Sequence, residues 1–297
     1  MFQPLLEAGL RQTMYRLVRP MLSNAVPLAL QRRLIQQAYR SSPPPRDTRF
    51  SRDDLGNVPV LRARGKDEPV GTLVYLHGGG YIIGSAATHK GIAGHLAKLS
   101  GCEVIIPDYR LAPEHPYPAA ADDAESVYLA LISQGKAAEN IAVAGDSAGG
   151  GLSLALAMRL RAHGHPLPSS ITCFSPWTDL TEQHLYSPEC EPVLHASWTQ
   201  NAARMYAGDT PLTNPLISPV FGDLTDLPPL LIQVGSQEIL LNDATRLAEI
   251  AKRDGVATTL EIYNNLWHVF QVHGGQMDRA TNALKVAAEH IRHHLAG

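Results

Sequence analysis

Short apolar runs punctuate the chain at Thr72 to Leu76, Val104 to Ile106, Ile141 to Ala144, Ile171 to Phe174 and Leu230 to Val234. Their length and continuity predict strands buried on both faces, while the alternating run Thr258 to Tyr263 predicts one more strand. Between them, apolar residues recur at helical spacing over Ile92 to Leu99, Asp122 to Ile132, Leu152 to His163, Ala244 to Arg253 and Arg279 to Leu295. Strands alternating with helices require right-handed crossovers, and hence a mostly parallel sheet with helices on both faces. The fold class is α/β, and ligands of such sheets bind at the C-terminal ends of the strands.

Two segments interrupt this rhythm. At the N-terminus, Leu6, Leu10, Met14, Leu17 and Met21 follow helical spacing with Arg11, Arg16 and Arg19 interspersed. An amphipathic helix on a membrane surface and a cap helix over the strand ends both fit; the shortness of the basic face, together with the family resemblance carried by the motifs described next, favours the cap. Residues 1–45 are thus read as a helical cap segment, with SSPPPR, Ser41 to Arg46, as a stiff link. The gap between the strands ending near Ser175 and beginning near Leu230 is too long for a plain connection. Residues 181–211 are read as a second cap segment with a helix around Trp198 to Tyr206, leaving 46–180 and 212–297 as the main α/β domain.

The strand ends carry the chemistry. GDSAGG places Ser147 between the apolar run Ile141 to Ala144 and a helix starting near Ala148, a nucleophile-elbow pattern. Gly145 and Gly149 permit a turn too sharp for residues bearing a Cβ, and the helix N-terminus behind it favours developing negative charge. HGGGY, His77 to Tyr81, puts a glycine-rich loop directly after another strand. Backbone N–H groups of Gly79, Gly80 and Ala148 are candidates for an oxyanion hole. A phosphate-cradling loop is the competing reading, but the chain has no GxxxxGK[ST].

Among 13 histidines, chain order singles out His268, in the loop after Thr258 to Tyr263 and flanked by Trp267 and Phe270 as candidate site walls. His163 and His165, on either side of Gly164, read as surface or satisfied residues. The acid between Ser147 and His268 comes from GSQEILLND, which offers Glu238 and Asp243. Glu238 sits in the strand-end loop; Asp243 reads instead as a helix-start residue. Ser, acid, His is the α/β-hydrolase order. His77 is expected to brace its loop, as is Asp146. The charges of DYRLAPEHPYPAA (Asp108, Arg110, Glu114 and His115) are read as a structural ion-pair network in a proline-stiffened loop.

HGGGY, DYRLAPEHPYPAA, GDSAGGG, GSQEILL and WH, in that order over nearly the whole chain, resemble the hormone-sensitive-lipase group of esterases, bacterial lipolytic family IV. The resemblance implies an α/β-hydrolase fold with a helical cap, and a serine carboxylesterase acting on short- to medium-chain acyl esters without cofactor or metal. It assigns Ser147, Glu238 and His268 as the catalytic triad; the family usually has Asp where this chain has Glu238. Tyr81, Trp198, Tyr206, Met14 and Met21 are the candidate substrate-binding residues, and a homodimer through the last edge strand is expected.

Composition narrows the alternatives. The 44% hydrophobic and 18% charged content is that of a globular protein, and a net charge of −3 gives no case for nucleic acid. Cys102, Cys173 and Cys190 form neither a disulfide framework nor a zinc pattern, which points to a reducing, cytoplasmic setting. No run is long enough for stable membrane insertion, and the N-terminus lacks a signal-peptide core. The expected partner is a small-molecule ester. An amidase or deacylase on the same triad remains open, and a non-catalytic receptor on this scaffold is disfavoured by the presence of His268.

Overall fold

A computed structural model describes residues 2–189 and 191–296, so Cys190 lies outside the described residues. Eight strands form one sheet: β1 (Arg49–Leu55), β2 (Val58–Arg64), β3 (Thr72–Leu76), β4 (Glu103–Pro107), β5 (Ile141–Asp146), β6 (Ile171–Phe174), β7 (Leu230–Gly235) and β8 (Thr258–Tyr263). Their spatial order is β1-β2-β4-β3-β5-β6-β7-β8. From β4 to β8 every neighbouring pair is parallel, whereas β1 and β2 join antiparallel at one edge.

The nine α-helices are α1 (Phe2–Thr13), α2 (Arg19–Met21), α3 (Leu28–Ala38), α4 (Lys90–Ser100), α5 (Ala119–Ser133), α6 (Ala148–Ala162), α7 (Ala196–Ala207), α8 (Leu241–Arg253) and α9 (Asp278–His294), counted among the described residues. Every residue of β3 to β7 is buried, the physical origin of their unbroken apolar runs. Successive side chains point to opposite faces. Leu73, Tyr75, Val104 and Ala142 meet Ile92 and Leu96 of α4 and Leu284 and Ile291 of α9. Val74, Leu76, Ile105 and Val143 meet Val127 and Leu131 of α5 and Leu152 and Leu156 of α6.

The β1–β2 hairpin lies outside the elements the apolar pattern predicts. Arg49, Arg52, Asp53 and Asp54 of β1 are exposed, and a charged edge strand shows no apolar run. Its signal is instead Gly56-Asn57 between Leu55 and Val58, a two-residue loop with both φ values positive (58° and 63°).

Each expected cap segment contains helix, α1 to α3 in the first and α7 in the second, and the two meet. Trp198 Nε1 in α7 donates to Gln31 Oε1 in α3 at 2.7 Å, and Asn24 Nδ2 donates to Ser197 O at 2.8 Å. Arg32 of α3 grips Glu114 with two bonds of 2.7 and 2.8 Å and donates to Ile82 O, tying the N-terminal helices to the sheet domain. The ion pairs expected of the proline-rich loop therefore exist but reach outward: Glu114 to Arg32, and Arg110 to Asp123 at 2.7 Å. Between α1 and α2 the chain makes a π-helical turn, Met14–Val18. That wider turn changes which side chains face inward. No described helix is long and apolar enough to cross a membrane.

Candidate active site

Ser147 links the end of β5 to the start of α6 with φ 53° and ψ −121°, a conformation non-glycine residues rarely adopt. Its N–H donates to Phe174 O at 2.9 Å, and its carbonyl accepts from Gly150, Gly151 and Trp177, so the surroundings hold the strained turn. The flanking glycines serve a different need from the one a sharp turn suggests. A Cβ on Gly145 would lie 2.2 Å from Gly149 O, and one on Gly149 would lie 1.9 Å from Leu76 O. They allow backbones to touch, while Ser147 itself carries the unusual φ.

Across the strand ends, His268 Nδ1 lies 2.7 Å from Glu238 Oε2. Glu238 is completely buried, and its Oε1 accepts from Gly235 N–H at 2.7 Å and Ser175 Oγ at 2.8 Å. Ser175 Oγ in turn accepts from Val269 N–H at 3.0 Å, which links the acid to the histidine loop a second time. Burial alone would lower the His268 pKa, but the hydrogen bond and charge of Glu238, with Glu191 and Asp146 farther off, raise it above its ordinary value. Asp243 has another task. In the first turn of α8, it accepts from the N–H groups of Thr178 and Asp179, both at 2.8 Å, and burial pushes its pKa up to about 7.

The glycine-rich loop follows β3. Asp146 Oδ1 accepts from Gly78 N–H at 3.0 Å and from Tyr75 OH at 2.8 Å, and a Cβ on Gly78 would lie 2.2 Å from Asp146 Oδ2. Asp146 thus braces this loop. His77 stacks on Tyr109 with ring centroids 4.1 Å apart, and its Nδ1 lies 2.8 Å from Gly78 O; burial pushes its pKa down to about 3. It stays neutral and structural. Gly79 and Gly80 have φ of 121° and 59°, and among the described residues no backbone bond uses the N–H of Gly79, Gly80 or Ala148 as donor.

Ser147, His268, Gly79 and Gly80 all face one cavity of about 850 Å³, its open mouth included. Its apolar wall comes from Met14, Val18, Leu22 and Ile35 of the N-terminal segment and from Val193, Leu194 and Trp198 of the second segment. Trp267 lines it as well. Of the expected substrate-binding residues, Met14 and Trp198 are there; Met21, Tyr81 and Tyr206 are not. Tyr81 and Tyr206 are buried and stacked face to face at 3.6 Å, so they form core. Met21 packs against the core beside the cavity because the π-helical turn brings Val18 and Leu22 to the wall in place of Leu17 and Met21. Leu17 is 58% exposed, and Phe270 packs on Tyr263 inside the core. Ser175, Leu22, Ile35 and Leu194 had no distinguishing local motif. Only the position of Ser175 at a strand end hinted at its part.

A serine on a strained strand-to-helix turn, with a histidine and a buried carboxylate supplied by later strand ends of a mostly parallel sheet, defines an α/β-hydrolase. A family model described as alpha/beta hydrolase fold matches residues 73–272. The chain is 39% identical to an acetyl-hydrolase of Streptomyces hygroscopicus over 74% of its length and 75% of that protein's. It also superimposes on an esterase from the bacterial hormone-sensitive lipase family with a TM-score of 0.90 and 34% identity, covering 96% of this chain and 98% of that one. A hormone-sensitive lipase from a metagenome library gives a TM-score of 0.92 at 34% identity, covering 100% and 99%. The chain belongs to this α/β-hydrolase family, among its hormone-sensitive-lipase-like esterases, and it is a hydrolase of the esterase class.

Proposed function

We propose that the chain is a serine carboxylesterase that cleaves short- to medium-chain acyl esters through an acyl-enzyme formed on Ser147. The 2.7 Å contact of His268 Nδ1 with buried Glu238, beside a cavity that Ser147 also faces, carries this reading. His268 Nε2 takes the Ser147 proton as the serine oxygen attacks the ester carbonyl. Glu238 fixes the imidazole tautomer and stabilises the imidazolium. The N–H groups of Gly79, Gly80 and Ala148 receive the oxyanion, each donor being worth about 3 kcal/mol in such sites. His268 then protonates the departing alkoxide, and water repeats the sequence to release the acid.

The residues expected to form the cap, 1–45 and 181–211, supply much of the apolar wall of the cavity, and that wall supports an acyl site of limited depth. Each methylene buried there contributes about 0.8 kcal/mol, so rates should climb with acyl length until the wall is reached, at roughly four to eight carbons. The test is an organophosphonate ester followed by peptide mapping, paired with nitrophenyl esters of graded chain length. A single adduct on Ser147 with loss of activity is expected; an adduct elsewhere would remove Ser147 from the role. Matched ester and amide substrates separate this reading from an amidase.

A further inference from the structure

Far from the cavity, α6 ends in a cap whose geometry places two histidines side by side. Gly164 has φ +70°; its N–H donates to Arg161 O at 3.0 Å, and His165 N–H donates to Leu160 O at 2.8 Å. This paired bonding is a Schellman motif, which fixes the direction of the chain on both sides of the glycine. His163 and His165 are thereby presented to Glu125 of α5. His163 Nδ1 lies 2.6 Å from Glu125 Oε1, and the two imidazole rings are 6.1 Å apart and nearly perpendicular. One ligand atom from each of Glu125, His163 and His165 lies within 4.8 Å of the others.

We propose that Glu125, His163 and His165 form a divalent transition-metal site, of the kind zinc occupies, that clips α5 to the end of α6. Two imidazoles and one carboxylate are a sufficient zinc donor set, with a water in the fourth position. A tetrahedral ion needs donor atoms roughly 3.3 Å apart, given metal–ligand bonds of about 2.0–2.2 Å, so small side-chain rotations assemble the site. The metal replaces the hydrogen shared by His163 and Glu125, and the imidazole proton moves to Nε2, so charge and protons balance. Arg159 occupies the other carboxylate oxygen, Oε2, at 2.6 Å, and leaves Oε1 facing the histidines. Asp122 also pairs with Arg159 at 2.7 Å, so two carboxylates outweigh one guanidinium before any cation arrives. The carbonyl end of the α6 dipole adds attraction. His163 is exposed and His165 partly so, which leaves the site open to an ion from solution.

The experiment uses the untagged full chain, freed of metal with a chelator and then titrated with Co²⁺ and Zn²⁺. The expected result is one Co²⁺ per chain with the intense d–d absorption of a four-coordinate ion, and a rise in Tm of a few degrees with saturating Zn²⁺. His163→Ala and His165→Ala should each abolish the cobalt spectrum and the Tm shift. Glu125→Gln should weaken uptake at least tenfold. His294→Ala should change nothing, which separates this site from the histidines of α9. Hydrolysis of a nitrophenyl ester should be unaltered by metal, because the 15 residues of α6 hold this cap about 22 Å from Ser147. Absence of uptake, uptake that survives His165→Ala, or uptake lost in His294→Ala would overturn the proposal.

Discussion

Two acids compete for one histidine on paper, and their side-chain contacts separate them. Glu238 lies 2.7 Å from His268 Nδ1; Asp243 is spent on the N–H groups of Thr178 and Asp179. Glu238→Gln should therefore lower kcat by orders of magnitude, since the imidazolium loses its counter-charge, while Asp243→Asn should stay near wild type. Steady-state kinetics on a nitrophenyl ester decide between them, and the reverse ranking would move the acid role to Asp243. The pH profile follows from the same contact. Because burial, which lowers the His268 pKa, is outweighed by the hydrogen bond and charge of Glu238 together with the charges of Glu191 and Asp146, the rising limb of kcat/KM should lie above about 6.5, where an unperturbed imidazole titrates. The sign for stability is the opposite. A raised folded pKa gives stabilisation that is complete below the unfolded value and lost as pH rises through the folded one. Glu238→Gln should accordingly lower the pKa seen by NMR titration of His268; an unmoved pKa would contradict the assigned cause.

The π-helical turn Met14–Val18 is the element with the most consequence for specificity. By widening one turn it presents Met14, Val18 and Leu22 to the cavity, while Leu17 faces solvent and Met21 packs to one side. Met14→Ala should deepen the wall and move the acyl-length optimum to longer chains, with about a fourfold gain in relative kcat/KM for each extra methylene accommodated. Met21→Ala should leave the optimum where it is. Equal effects from the two variants would show that an unbroken α-helical register holds in solution. Trp198 couples α7 to the N-terminal helix α3: it donates to Gln31, and a Cβ on Gly80 would lie 3.0 Å from its ring. Replacing it with Phe keeps the wall and removes a buried hydrogen bond, so the expected cost is about 1 kcal/mol by chemical denaturation.

For the molecule as a whole, the N-terminal helices are both wall and support. Leu22 and Ile35 are buried, and full burial of such side chains is worth about 1.5–3 kcal/mol each. Deleting roughly the first 40 residues should thus cost at least about 3 kcal/mol and flatten the chain-length profile. Ser147 should still react with a phosphonate in whatever fraction stays folded, because the sheet and elbow are built from later residues. An intact optimum after deletion would show that the segment does not shape the pocket; its basic face should then be tested on anionic liposomes.

Much of this molecule is written locally. The strands Thr72–Leu76, Ile171–Phe174 and Thr258–Tyr263 lie where apolar periodicity puts them, because burial on a sheet selects side chains residue by residue. The elbow and the glycine loop are equally legible, since backbone contacts near 2 Å demand glycine at fixed positions. His268 was readable through chain order and Glu238 through its place in a strand-end loop, ahead of Asp243 at a helix start; the side-chain contacts agree with that choice. Ser175, which bonds Glu238 and the histidine loop at once, had no motif at all, for its partners lie 63 and 94 residues away. The aromatics Tyr81 and Tyr206 look like pocket residues by type, yet they stack on each other in the core. Composition cannot tell a wall from an interior. The sequence by itself determined the chain order of the chemistry, the position of the turn at Ser147 and the class of fold, all of which show in local patterns of apolar residues and glycines. Only the tertiary structure decided the depth and lining of the cavity, the bracing of the acid and the meeting of Glu125 with His163 and His165, because those depend on where distant segments come to rest.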